Sequence, residues 1–186
     1  MGREARRTIT EPEPLRVLAH PVRYELLNYL ISHSPATATQ CARAVGDTPS
    51  NCSYHLRALA KAGLVAAEES SDGRERPWRA LVTGLSVPQD ADAASPQGRQ
   101  ARAIAALGVQ RDQRLVREYM ARHDGTPQPW RDAAHHNTYA LRLTAAELRQ
   151  LGERIDALVR PYISATRDDA PPDAEMVHFG FHGFLQ

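Results

Sequence analysis

Apolar residues recur at helical spacing through residues 22–30, where Val22, Leu26, Tyr29 and Leu30 share one face. Pro21 is a favoured first helical residue, and Pro35 ends the segment. Residues 14–19 read as a short helix ahead of it, and residues 38–45 as another, with Cys41, Ala42 and Val45 apolar and Gly46 as its stop. Thr48 is a natural N-cap and Pro49 a first-turn residue, so a further helix runs from there to Gly63. Residues 65–82 have the form of a hairpin: Asp72-Gly73 is the turn signal, and Trp78, Ala80 and Val82 alternate along the return flank. Residues 83–98 carry Pro, Ala, Asp, Ser and Gly without period and read as a linker.

The second half begins with a helical stretch, residues 99–123, anchored by Ile104, Leu107, Leu115, Tyr119 and Met120. The polar run 110–114 interrupts its stripe and predicts a break there. A loop with Gly125, Pro127 and Pro129 follows. Tyr139, Leu141 and Leu143 then alternate with polar residues as in a half-buried strand. Thr144 and Glu147 form a capping box for a helix over 145–165, with Leu148, Leu151, Ile155, Leu158 and Tyr162 along one face. Val177, Phe179 and Phe181 alternate again, so a second strand is expected to pair with the first beneath that helix. The expected organisation is an N-terminal arm (1–13), a mainly α unit with a small β hairpin (14–83), a linker (84–98) and a C-terminal α+β region of helix, strand, helix, strand (99–186).

Composition changes this picture little. The 186 residues are 42% hydrophobic and 24% charged, within the globular range. No apolar run approaches the roughly 20 residues of a membrane span, and the first residues lack a signal-peptide core, so a cytoplasmic location is expected. The formal charge of +1 exerts no global pull on polyanions, so nucleic-acid binding would need a local patch. Cys41 and Cys52 form neither a disulfide framework nor a C-x-x-C pair and read as small buried hydrophobes. His178 and His182 share a strand face near His135 and His136, but no carboxylate or thiolate joins them at a recognisable spacing, so no metal and no cofactor is expected. Phosphate-cradling glycine loops, nucleophile elbows and H-E-x-x-H are missing, and catalysis is not expected.

The helix opened by Thr48 carries the chemistry. Cys52, Leu56 and Leu59 define its packing face with His55 at the edge, while Ser50, Tyr54, Arg57 and Lys61 lie opposite. No acidic residue falls between Thr48 and Ala67, so that face can approach phosphates and base edges without repulsion. A short helix, a tight turn and a polar-faced helix make a helix-turn-helix. Arg74, Arg76 and Arg79 cluster on the hairpin, diluted by Glu68, Glu69 and Glu75. The bland alternative is an ordinary capped amphipathic helix with a solvated face.

These residues resemble the ArsR-type winged helix-turn-helix regulators. The opening L-x-x-L-x-H-P-x-R at residues 15–23 and the segment S-x-H-L-x-x-L-x-x-x-G-L-V at 53–65 occur in order, followed by the hairpin ending DGRERPWRAL. The resemblance covers about residues 14–82 and implies a homodimeric regulator of double-stranded DNA, a repressor on an inverted-repeat operator. It places recognition on Ser50, Asn51, Ser53, Tyr54 and Arg57. Ser50, Asn51 and Tyr54 are expected to contact bases, Ser53, Arg57 and Lys61 the backbone, and Arg74 and Arg76 the adjacent groove. The metal-sensing cysteines of many members correspond to Thr37 and Thr39 here, so that site is absent. Dimerisation is expected from the 99–123 helix, with residues 14–19 as a second candidate. Trp130, Tyr139, Tyr162 and Phe179 either line a small-molecule effector pocket or fill a small core. A metal- or redox-responsive regulator and a winged-helix protein-interaction module stay open as other readings.

Overall fold

A computed structural model describes residues 7–69, 76–87, 92, 94–164 and 166–185. Four helices build the first half: α1 (Pro12–Leu18), α2 (Pro21–His33), α3 (Ala38–Val45) and α4 (Pro49–Lys61). Their ends follow local chemistry. The Thr37 hydroxyl accepts from the Gln40 amide at 3.3 Å and the Gln40 side chain accepts from the Thr37 amide at 2.8 Å, a capping box that starts α3. Gly46, at φ 69°, closes α3 in the left-handed region that other residues enter only with strain. Two residues on, the Thr48 hydroxyl accepts from the Asn51 amide at 3.2 Å and opens α4. The turn between the two helices is short because both ends are capped by their own sequence.

The wing strands β2 (Val65–Ala67) and β3 (Trp78–Ala80) pair antiparallel, with Val65 opposite Ala80 and Ala67 opposite Trp78. Ala36, between α2 and α3, bridges Trp78 through two backbone hydrogen bonds of 2.9 and 2.8 Å. Ser34 adds a clamp: its hydroxyl donates to the Leu30 carbonyl and accepts from the Ala80 amide. The core beneath these elements contains Leu15, Leu18, Leu26, Leu27, Leu30, Cys41, Cys52, Leu56, Leu59, Leu64, Val65 and Val82. Fully burying one such leucine is worth about 1.5–3 kcal/mol, which is what holds the polar face of α4 outward.

Three expectations need correction. The N-terminal arm is part of the fold: β1 (Arg7–Thr8) pairs in parallel with β4 (Leu85–Ser86), and Ile9 is fully buried. The expected linker therefore supplies a strand. Helix α5 (Pro96–Arg122), capped by the Ser95 hydroxyl, runs unbroken through residues 110–114. Its polar run makes long-range contacts instead of ending the helix: Arg114 meets Glu25 of α2 at 2.9 Å, Arg111 approaches the same carboxylate at 3.7 Å, and Asp112 meets His178 and His182.

The third correction concerns the C-terminal region, expected to be α+β. A short helix α6 (Gln128–Ala133) sits in the expected loop, and α7 (Ala145–Val159) starts at the expected Thr144–Glu147 capping box. It ends in a 3₁₀ turn (Arg160–Tyr162), where Pro161 has no N–H to continue the helix. Among the described residues, neither 139–143 nor 177–181 belongs to a sheet. Both stretches are irregular coil without a ladder partner.

Candidate nucleic-acid interface

Helix α4 presents its two faces as its sequence dictates. Cys52, His55, Leu56 and Leu59 are buried, while Ser50, Asn51, Tyr54, Arg57 and Lys61 are exposed and Ser53 is half-buried. Tyr54, 63% exposed, projects a large ring from the middle of the helix and meets the His55 ring edge-on at 5.2 Å between centroids. Ser50, Ser53 and Arg57 come together with Arg76, Trp78, Ala38 and Pro49 around a recess of about 380 Å³ between α4 and the wing. The recess therefore joins residues of α4 to a wing arginine. Arg57 also holds the Ser53 carbonyl through its Nε at 3.1 Å, which aims the guanidinium along the helix surface. Arg74 and the Asp72-Gly73 turn lie outside the described residues. Arg79 faces Glu68 at 3.1 Å, so its charge is partly neutralised within the wing.

Two features escaped the sequence reading. Asp47 stands just before the N-cap and accepts from the Thr48 amide at 2.7 Å and from the Asn51 side chain at 2.6 Å. Those hydrogen bonds, the backbone one first, hold its carboxyl below the usual range. Asn51 is thereby oriented by a carboxylate, with its Oδ1 and second Nδ2 hydrogen left for other partners. Arg23 on α2 donates from Nε to the Val17 carbonyl and lies near enough to Tyr54 for the two to interact electrostatically. The signal was present in both cases, since an acid one residue before an N-cap and an arginine two after a helix-opening proline are readable positions.

Behind the interface, His20 and His55 pack at a 44° tilt with ring centroids 4.7 Å apart, and each keeps a buried Nδ1 with no hydrogen-bond partner among the described residues. Burial, then the nearby Arg23, lowers both below their ordinary 6.5. The thiols are equally removed from solvent: both cysteines are buried and free, and burial pushes Cys41 up to about 12. Protonated thiols in a core are poor metal ligands and poor redox centres. Trp130, Tyr139, Tyr162 and Phe179 are 37, 73, 67 and 51% exposed, so within one chain they neither enclose a pocket nor fill a core. Among the described residues no group of three or more His, Cys, Asp and Glu is placed to hold a metal ion, and no helix is long and apolar enough to cross a membrane.

The fold and this interface define the winged helix-turn-helix class. Residues 18–67 match the model of a helix-turn-helix domain, which spans α2, α3, α4 and β2. No curated protein matches the chain. Among solved structures, it is similar to the homodimeric winged helix-turn-helix DNA-binding domain of Mycobacterium bovis Mb0332, a possible ArsR-family regulator, at 21% identity and TM-score 0.35, covering 68% of this chain and 85% of that one. It is similar to the MarR family regulator SP03579 at 16% identity and TM-score 0.35, covering 85% and 81%. It is also similar to the Mycobacterium tuberculosis MarR family protein Rv2887, solved with salicylic acid, at 21% identity and TM-score 0.31, covering 79% and 85%. Likenesses this distant leave the helix-turn-helix match and the geometry above to carry the assignment.

Proposed function

We propose that the chain is a sequence-specific regulator of transcription that binds double-stranded DNA as a homodimer and represses by occupying an inverted-repeat operator. The observation that carries this is the outer face of α4, where Ser50, Tyr54, Arg57 and Lys61 stand exposed beside the recess shared with Arg76. A helix with that face fits a major groove: Ser50, Asn51 and Tyr54 reach base edges, Ser53, Arg57 and Lys61 grip phosphates, and Arg74 and Arg76 meet the neighbouring groove. Residues 14–83 do the reading and residues 99–186 bring two copies together. One recognition helix reads only a few base pairs, so a twofold mate is needed for a site of useful length. The exposure of Trp130, Tyr139, Tyr162 and Phe179 favours interface surface over an effector pocket.

Selection of binding sites from random duplex DNA with the full chain tests this. The expected product is two inverted half-sites whose centres lie about 34–36 Å apart, one turn of B-DNA. Failure to enrich any sequence overturns the reading, and enrichment of a lone half-site overturns its dimeric part.

A further inference from the structure

The C-terminal tail is built inside out. His178 and His182 reach Asp112 of α5 with their Nε2 atoms, at 3.2 and 3.1 Å, and a Cβ at Gly180 would lie 3.5 Å from the same carboxylate. Residues 178, 180 and 182 thus turn toward α5, and that side of the tail is fastened to the chain's own helix. The alternate residues Val177, Phe179 and Phe181 point the other way and stay 46–61% exposed. A segment ordinarily turns its apolar face to the core and its polar face to water; here the polar face is anchored and the apolar face is bare. Residues 139–143 also leave apolar side chains bare, with Tyr139, Leu141 and Leu143 at 42–73% exposure. The tail also lies beside the stretch that precedes 139–143 and beside α7, since the rings of His135 and Phe179 are 6.3 Å apart and a Cβ at Gly183 would lie 3.0 Å from Leu148.

We propose that residues 139–143 and 177–181 are interface arms whose apolar faces close against the same arms of a second copy of the chain. This rests on the homodimer reading above and names the surface that makes the dimer. At about half exposure, six large apolar side chains leave on the order of 600 Å² bare per chain. Two copies would bury about 1,200 Å², the lower edge of stable interfaces, before any helix is counted. Val109, Val116 and Met120 extend that surface along α5 on the side of Asp112, all of them more than a third exposed. An extended arm without a ladder partner offers backbone donors and acceptors as well as side chains, and another strand satisfies both where a small apolar ligand satisfies only the second. A twofold axis makes such an edge self-complementary, because a strand can pair antiparallel with its own copy.

Sedimentation equilibrium of the full chain tests the arms. The native chain is expected to dimerise at micromolar concentration. The pair Phe179→Asp and Phe181→Asp should raise the dissociation constant by roughly 100-fold or more with unchanged circular dichroism, since carboxylates would have to be desolvated in the seam. Phe179→Leu with Phe181→Leu should keep the dimer. A native dimer indifferent to the charged pair overturns the arms and leaves the dimer standing, whereas a native monomer overturns both. Amide exchange of the native chain gives an answer free of variants. Exchange at 139–143 and 177–181 should slow as the chain is concentrated into dimers, and identical exchange in monomer and dimer contradicts the proposal.

Discussion

Residues 7–104 and residues 105–185 obey different physics. In the first stretch a continuous core runs from Ile9 to Ile104, every helix contributes to it, and the polar side chains of the outer α4 face stay outside. In the second, no described residue is buried, although it contains Trp130, three phenylalanines and a helix with a full apolar stripe. A chain that satisfies itself in one half and leaves apolar surface bare in the other is finished only in part. The first half closes its core within one chain, and the second leaves its apolar side chains exposed.

The largest expected effect sharpens that contrast. Leu56→Ala, on the buried face of α4, should cost about 2–5 kcal/mol, whereas Phe179→Ala, measured by urea unfolding where the chain is monomeric, should change stability by no more than about 0.5 kcal/mol. A Phe179→Ala cost as large as that of Leu56→Ala in the monomer would erase the distinction between the halves.

A smaller effect concerns the closed half alone. His20 and His55 titrate below their ordinary 6.5 when folded, first because burial penalises their charge. The unfolded chain therefore takes up protons on them sooner than the folded one, so their contribution is whole above 6.5 and is lost as pH falls through that value toward the folded ones. Urea midpoints at about pH 7.5 and about pH 5.5 should drop for the native chain and drop less for His55→Gln. Equal drops would place the titration elsewhere.

Much of the first half was legible because its cues are local. Thr48-Pro49 starts α4, glycines follow α3 and α4, and the apolar spacing of Cys52, Leu56 and Leu59 orients the recognition face without tertiary information. The β1–β4 pair was not legible, because two-residue strands leave no period and their partners lie far apart in sequence. The polar run 110–114 was misread for a related reason. Periodicity assumes that a helix is held by apolar contacts, yet here Arg111, Arg114 and Asp112 serve α5 through ion pairs to α2 and the tail. In the C-terminal half the alternation at 139–143 and 177–181 predicts two strands paired within one chain, and among the described residues no such ladder forms. The role of Asp47 was not legible because it lies one residue before the N-cap, and its bonds to Thr48 and Asn51 form only once α4 has started.

The account rests on the outer face of α4 meeting a duplex, and an equilibrium titration of the selected DNA site across a range of salt concentrations tests it most directly. Arg57→Ala should weaken binding by about 1–3 kcal/mol and make the salt slope shallower by about one phosphate contact, with the fold intact. An Arg57→Ala chain that binds as tightly as the native one, with the same salt slope, would contradict the account.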